Sequence, residues 1–226
     1  MNYQIVIPAR GGSKRFVGKN IIDLNGIPLI AHSINFARQN FPENDVFVNT
    51  DTEEIAKIAR GFGAKITMRP ESLGSDTTSS VEVLQQQLSW FESNEILCDA
   101  IILLQATNPI RPKNLLKEAI SRFESSNRKS LAGFSVLPKK FGTIDESNFY
   151  HPENYLPGQR MQDLTPRYFE NGLIYITLAE AIKNGEIITR DVYPLQIDHI
   201  ASTVDIDEPD DLTYAAYILE HLKSYE

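Results

Sequence analysis

Four cations and three glycines crowd one short stretch near the amino end: Arg10-Gly11-Gly12-Ser13-Lys14-Arg15, followed by Gly18-Lys19-Asn20. The stretch directly follows Ile5-Val6-Ile7-Pro8, a β-branched apolar run that reads as a buried strand. Paired glycines let successive backbone N–H groups converge on an anion. Arg10, Lys14, Arg15 and Lys19 add positive charge to an otherwise acidic chain. Such a loop suits a polyphosphate; a solvated basic turn is the plain alternative. It is not a Walker loop, because five residues separate Gly12 from Gly18 and Lys19 precedes Asn20 rather than Ser or Thr. No Gly-x-Gly-x-x-Gly fingerprint is present either.

A second constellation lies far along the chain. Thr203 to Asp207 reads as a short last strand, which would turn Asp205 and Asp207 to one face. Two carboxylates side by side repel unless a cation lies between them. A hard oxygen pair of this kind suits Mg²⁺, which takes one or two carboxylates plus substrate phosphates. Asp207 has a second reading, as the cap of the helix that follows.

The elements that must position these groups alternate. Asp45–Asn49, Lys65–Met68, Ala100–Leu104 and Leu131–Val136 read as strands. Between them lie helical patterns starting near Pro28, Thr50 or Asp51, Ser79 and Pro112. This β-α-β-α order predicts a mainly parallel sheet with helices on both faces, whose ligands bind beyond the carboxyl ends of the strands. Residues 138–167 break the pattern, with prolines at 138, 152, 157 and 166, and read as an insertion. Strands at Leu173–Ile176 and Tyr193–Ile197 and a closing helix from Pro209 complete the chain.

Composition bounds the function. The 226 residues carry 22 Lys+Arg against 30 Asp+Glu, a net charge of −8, which opposes a general nucleic-acid or anionic-membrane surface. Cys98 stands alone, so an intrachain disulfide and a multi-cysteine metal site are excluded. No apolar run approaches a membrane span, and the start lacks signal-peptide features, so a soluble cytoplasmic protein is expected. His32, His151, His199 and His221 are scattered and show no nucleophile–base logic.

Taken together, Ile7-Pro8-Ala9-Arg10-Gly11-Gly12-Ser13-Lys14 with Gly18-Lys19-Asn20 resembles the signature of the acylneuraminate cytidylyltransferases, or CMP-sialic acid synthetases. Four further blocks agree in order. These are Arg69-Pro70 with Asp76-Thr77-Thr78-Ser79-Ser80, Leu104 to Arg111, Asn171-Gly172-Leu173-Ile174-Tyr175, and Asp205-Ile206-Asp207. The resemblance implies one Rossmann-like α/β nucleotidyltransferase domain over 1–226, with a dimerisation and sugar-pocket insert within 138–195. It also implies a homodimer that makes a CMP-activated nonulosonic acid from CTP and the free sugar acid, with Mg²⁺ as cofactor.

Residue by residue, the resemblance gives the CTP phosphates to Arg10, Ser13, Lys14 and Lys19. Asn20 falls by the α-phosphate and ribose, and Arg69 and Ser80 by the cytosine. Gln105 touches nucleotide and sugar, Lys140, Arg160 and Tyr175 line the sugar pocket, and Asp205 and Asp207 hold the metal. Arg10, Lys19, Asp205 and Asp207 would carry the chemistry. The chain departs from the family pattern at Ala106, Asn108 and Ile110, where Pro, Ser and Leu are expected, and at Phe169-Glu170, where part of the family has a basic residue. Lys139 competes with Lys140 for the sugar position, and Tyr175 also reads as strand packing. Two other functions fit the residues: a nucleotidyltransferase for another sugar or nucleotide, and a catalytically silent nucleotide-binding module.

Overall fold

Apolar runs a few residues long, separated by amphipathic stretches, dictate a layered α/β structure. The computed structural model describes residues 1–12, 15–75 and 77–222. In chain order its strands are β1 (Tyr3–Pro8), β2 (Asp23–Leu24), β3 (Ile27–Pro28), β4 (Val46–Thr50), β5 (Lys65–Met68), β6 (Ala100–Leu103), β7 (Ser130–Val136), β8 (Gly142–Ile144), β9 (Tyr150–Pro152), β10 (Tyr168–Leu178) and β11 (Tyr193–Gln196). Its α-helices are α1 (Leu29–Asn40), α2 (Glu53–Gly61), α3 (Ser80–Ser93), α4 (Leu115–Ser126), α5 (Ala179–Lys183) and α6 (Pro209–His221).

The central sheet has seven strands in the order β11-β7-β10-β6-β1-β4-β5. β6, β1, β4 and β5 run parallel, whereas β10 is antiparallel to both β6 and β7. The period-2 alternation of β1 decides its two faces. Tyr3, Ile5 and Ile7 join the larger core with α1, α2, α4 and α6, while Val6 joins a second core with α3 and α5. In β6, Ile102 and Ile101 divide in the same way. Helices therefore cover both faces, as the alternation predicts.

Helix starts follow local chemistry. Thr52 caps α2 by accepting from the Ile55 N–H, one residue beyond the two candidates read from sequence. Ser79 and Glu82 form a reciprocal capping box on α3. Glu208, with Asp211, does the same for α6, so the capping role considered for Asp207 falls to its neighbour.

Within 138–195, residues before β10 stand outside the main sheet. They form an arm with the separate two-stranded β8–β9 ladder and a short 3₁₀ turn at Met161–Asp163. β10, α5 and β11 belong to the central architecture. One expected element is absent: Thr203–Asp207 is not a strand. A 3₁₀ turn at Ile200–Thr203 leads into irregular chain, because no neighbouring strand is placed to pair with it.

Candidate active site

A cleft of about 280 Å³ opens beyond the carboxyl ends of β1 and β6. Its lining includes Arg10, Lys19, Asn20, Arg69, Ser80 and Gln105, drawn from four separate stretches of chain. Six of the eight residues singled out for the nucleotide thus share one cavity. Ser13 and Lys14, the other two, lie outside the described residues, as does Asp76.

Each residue is placed by a definable local cause. Arg10 emerges directly after β1 and its guanidinium donates to the Ser75 carbonyl at 3.1 Å, linking the two loops that flank the cleft. Asn20 is buried, and its amide donates to the Arg10 carbonyl at 2.8 Å. Arg69 follows β5 and is 7% exposed. Its guanidinium donates to the Asn49 carbonyl at 2.5 Å, and burial pushes its pKa down. The Arg69 Nε has no partner among the described residues, leaving a buried donor at the cleft wall. Ser80 begins α3.

Only part of the glycine loop read as an anion nest lies among the described residues. Neither Gly11 nor Gly12 adopts a positive φ; Gly18 does, at 68°. The Gly11 N–H is already taken by Asp51 Oδ1 at 2.9 Å. Gly11 is required instead for close approach, since a Cβ there would collide with the Thr52 side chain. The sequence offers Asp51 only as a candidate start of the helix after β4; its bond to Gly11, 40 residues away, is not legible there.

The carboxylates meet the basic loop across 188 residues of chain. Lys19 Nζ donates to Asp207 Oδ1 at 2.7 Å. Asp205 lies between Val204 and Ile206, both buried, and the Ile206 N–H donates to the Thr107 carbonyl at 2.9 Å. The Asp205 side chain reaches solvent, but the walls around it desolvate it enough to raise its pKa; Asp207 and Asp211 add repulsion, and a hydrogen bond to Thr107 and the charge of Lys19 oppose the rise. The donors here are oxygens only. Two carboxylates that repel each other, one currently paired to a lysine, fit a hard divalent cation. No group of three or more metal-type side chains occurs among the described residues, so further ligands would come from substrate phosphates and water.

The sugar residues divide. Gln105 lines the cleft. Tyr175 is 7% exposed within the second core, its hydroxyl pushed up to about 12 by burial and by Glu170, and it lines neither this cleft nor the groove beside it. That groove, of about 1150 Å³, runs from Phe134 and Lys139 past Glu170 and His199 to Asp205, while the cleft reaches Lys19, the partner of Asp207, and Thr107, whose carbonyl accepts the Ile206 N–H. Lys139, not Lys140, borders it. Lys140 binds the Gln159 carbonyl and lies over the Tyr155 ring. Arg160 forms a two-pronged pair with Asp163 at 2.8 and 3.0 Å and is largely exposed. The single chain therefore does not bring Lys140 or Arg160 to either hollow.

Arg111 is the most consequential residue for which sequence reading gave no role. It is fully enclosed, and burial pushes its pKa down to about 9. Its guanidinium donates to the carbonyls of Leu173 and Gln105 at 2.7 and 2.8 Å and to Ser33 Oγ at 2.9 Å. It thereby fixes the backbone on which Gln105 stands.

A phosphate-suited loop and a carboxylate pair at the strand ends of a mainly parallel sheet define a nucleotidyltransferase-type α/β protein. The sequence profile of the family described as "Cytidylyltransferase" matches residues 4–223. The chain belongs to that cytidylyltransferase family. It is 32% identical over 225 residues to a CMP-N,N'-diacetyllegionaminic acid synthase of Legionella pneumophila, covering 97% of each chain. It is 33% identical over 224 residues to an N-acylneuraminate cytidylyltransferase of Streptococcus agalactiae, covering 96% of this chain and only 52% of that relative. Among solved structures, a CMP:2-keto-3-deoxy-manno-octonic acid synthetase complexed with CTP superposes with a TM-score of 0.71 at 18% identity. The match covers 98% of this chain and 100% of that one, and establishes likeness of fold.

Proposed function

We propose that this protein transfers CMP from CTP to the anomeric hydroxyl of a nonulosonic acid, releasing pyrophosphate. One observation carries the reading: the Lys19–Asp207 contact at 2.7 Å joins the basic loop to the carboxylates at the cleft that Arg69, Ser80 and Gln105 line. A single nucleotide can therefore span both. Family membership, and relatives named for legionaminic and N-acylneuraminic acids, support the nucleotide and the class of acceptor.

The chain's residues divide the work. Arg10 and Lys19, with Ser13 and Lys14 from the same loop, hold the β- and γ-phosphates and stabilise the departing pyrophosphate. Arg69 and Ser80 read the cytosine, and Asn20 and Gln105 orient the α-phosphate and ribose. The sugar oxygen attacks the α-phosphorus in line as the bond to the β-phosphate oxygen breaks. Such chemistry needs positioning and charge neutralisation more than a covalent nucleophile. Asp205 and Asp207 would hold Mg²⁺, which supplies further neutralisation at the α-phosphate and favours ionisation of the attacking hydroxyl. Lys19 and Asp207 neutralise one another until CTP arrives; Lys19 then turns to the phosphates and releases the carboxylate. Asp207 is more than half exposed, so giving up this pair costs little.

The acceptor is an acid and needs a cation. The family resemblance gives that part to Lys140 and Arg160, which lie outside both hollows and are held by Gln159 and Asp163, whereas Lys139 borders the groove. The arm exposes Ile144 and Phe149, two-thirds accessible, together with Leu156 and Met161, which favours self-association as a homodimer. None of the described helices is long and apolar enough to cross a membrane, and dependence on CTP favours a cytoplasmic setting.

The direct test is pyrophosphate release from CTP, UTP, ATP and GTP with Mg²⁺ and a panel of N-acetylneuraminic, legionaminic and pseudaminic acids. CTP-dependent release with at least one acid is expected. Preference for another nucleotide, or CTP binding without turnover of any acid, overturns the proposal.

A further inference from the structure

The segment that carries Asp205 has no strand to hold it, yet it is not loose. Val204 and Ile206 are buried on either side, and their main chain is tied to the loop after β6 rather than to the sheet. Asn108 is the centre of that attachment. Its side chain is fully buried, and its Nδ2 donates to the Val204 carbonyl at 2.9 Å and to the Asn171 carbonyl at 3.3 Å. One amide group therefore joins the Asp205 segment to β10, 63 residues away from Asn108 in sequence. Its Oδ1 has no partner among the described residues. It faces Gly172, whose φ is 73° and where a Cβ would stand 2.5 Å from that oxygen and 2.6 Å from Gln105 Oε1. Leaving a buried amide oxygen unsatisfied costs stability. The same fold site could be filled by an apolar side chain without that cost, so the two donated bonds are what the residue provides.

We propose that Asn108, with Thr107 beside it, is a positioning residue for the proposed CMP transfer: it sets the main chain around Asp205 and so fixes where that carboxylate meets the cation and the α-phosphate. Thr107 acts on both sides of the same carboxylate. Its carbonyl accepts the Ile206 N–H, and its side chain favours the ionised form of Asp205. The geometry is selective. Asn108 has two N–H donors on one nitrogen, which a serine hydroxyl cannot reproduce. Arg10, Arg69 and Ser80 hang on other elements, and the Gln105 main chain is held by Arg111, so nucleotide binding depends little on this tie. Groups that orient metal ligands from behind typically change metal affinity or activity by about 10–100-fold when removed.

The inference rests on the function proposed above, and its test separates the two. Asn108→Ser and Thr107→Val are compared with the wild type in three measurements. These are CTP affinity by calorimetry without divalent cation, Mn²⁺ affinity of the CTP complex by electron paramagnetic resonance, and kcat and KM with the best acid. The expected result for Asn108→Ser is Mn²⁺ binding weakened about 10-fold or more and kcat lowered about 10–100-fold. CTP affinity without metal and KM for CTP should stay within about threefold of wild type. Unchanged Mn²⁺ affinity, or equal losses of CTP and Mn²⁺ binding, overturns the proposal. If Asn108→Ser does not fold, Thr107→Val decides on the same Mn²⁺ reading. A wild type that binds no Mn²⁺ beside CTP also overturns it, whereas the proposed function itself stands or falls on turnover of the acid panel.

Discussion

Two loops face each other across the cleft and are built on opposite plans. The loop after β6, residues 105–111, is locked from within. Arg111 reaches three partners, Asn108 spans two elements, and Thr107 bonds the segment that bears Asp205. The described residues of the loop after β1 are held mainly by contacts to other segments, among them Arg10 to Ser75 and Lys19 to Asp207. Asp51 takes the Gly11 N–H, Asn20 takes the Arg10 carbonyl, and Val17 is 84% exposed. On the proposed function, the difference follows from what each must do. Groups that orient a reacting phosphorus need rigid support. Groups that neutralise the tail of a triphosphate need charge within reach and an open path for the product.

The contrast can be broken at three depths. Arg111→Met should act on stability as well as turnover. It leaves the Leu173 carbonyl buried without its donor while Ser33 still serves Gln105. A loss of about 2 kcal/mol, read by denaturant unfolding, is expected together with a collapse of kcat. An unaffected midpoint would contradict the locked-loop reading. Lys19→Met should leave stability within about 0.5 kcal/mol, because its ion-pair partner is exposed. It should lower kcat/KM for CTP by about 10²-fold, an effect that shrinks as ionic strength rises. Val17→Ser should change neither stability nor kcat/KM beyond about twofold; a larger loss would mean that the outer loop is as constrained as the inner one.

Much of this was legible before any coordinates. The strands β1, β4, β6 and β7 are short apolar runs, and period 2 in β1 foretold its two faces. The stretches 10–20, 69–80 and 105–111 follow strands, which local pattern could show; the roles of Asn20, Arg69, Ser80 and Gln105 within them came from the family resemblance. What failed had a common cause. Val204-Asp205-Ile206 alternates like a strand, but the alternation comes from packing against Thr107 and Asn108, with no ladder partner. Glycine composition did not show that the positive φ among the described residues of the loop falls to Gly18. Asp51, Asn108 and Arg111 make their decisive contacts 40 to 96 residues away in sequence, a separation no local pattern can encode. Lys140 and Arg160 lie on the irregular arm, where residue type and spacing carry little information about placement.

The central claim is that the basic loop and the aspartate pair grip one nucleotide between them. A crystal structure with CTP and Mn²⁺ tests it most directly, because manganese reports its own position by anomalous scattering. The account predicts an anomalous peak at Asp205 and Asp207 within coordination reach of the α-phosphate, with Arg10 and Lys19 on the outer phosphates and the Lys19–Asp207 contact broken. A triphosphate lying away from Arg10 and Lys19, or manganese bound elsewhere with that contact intact, contradicts it.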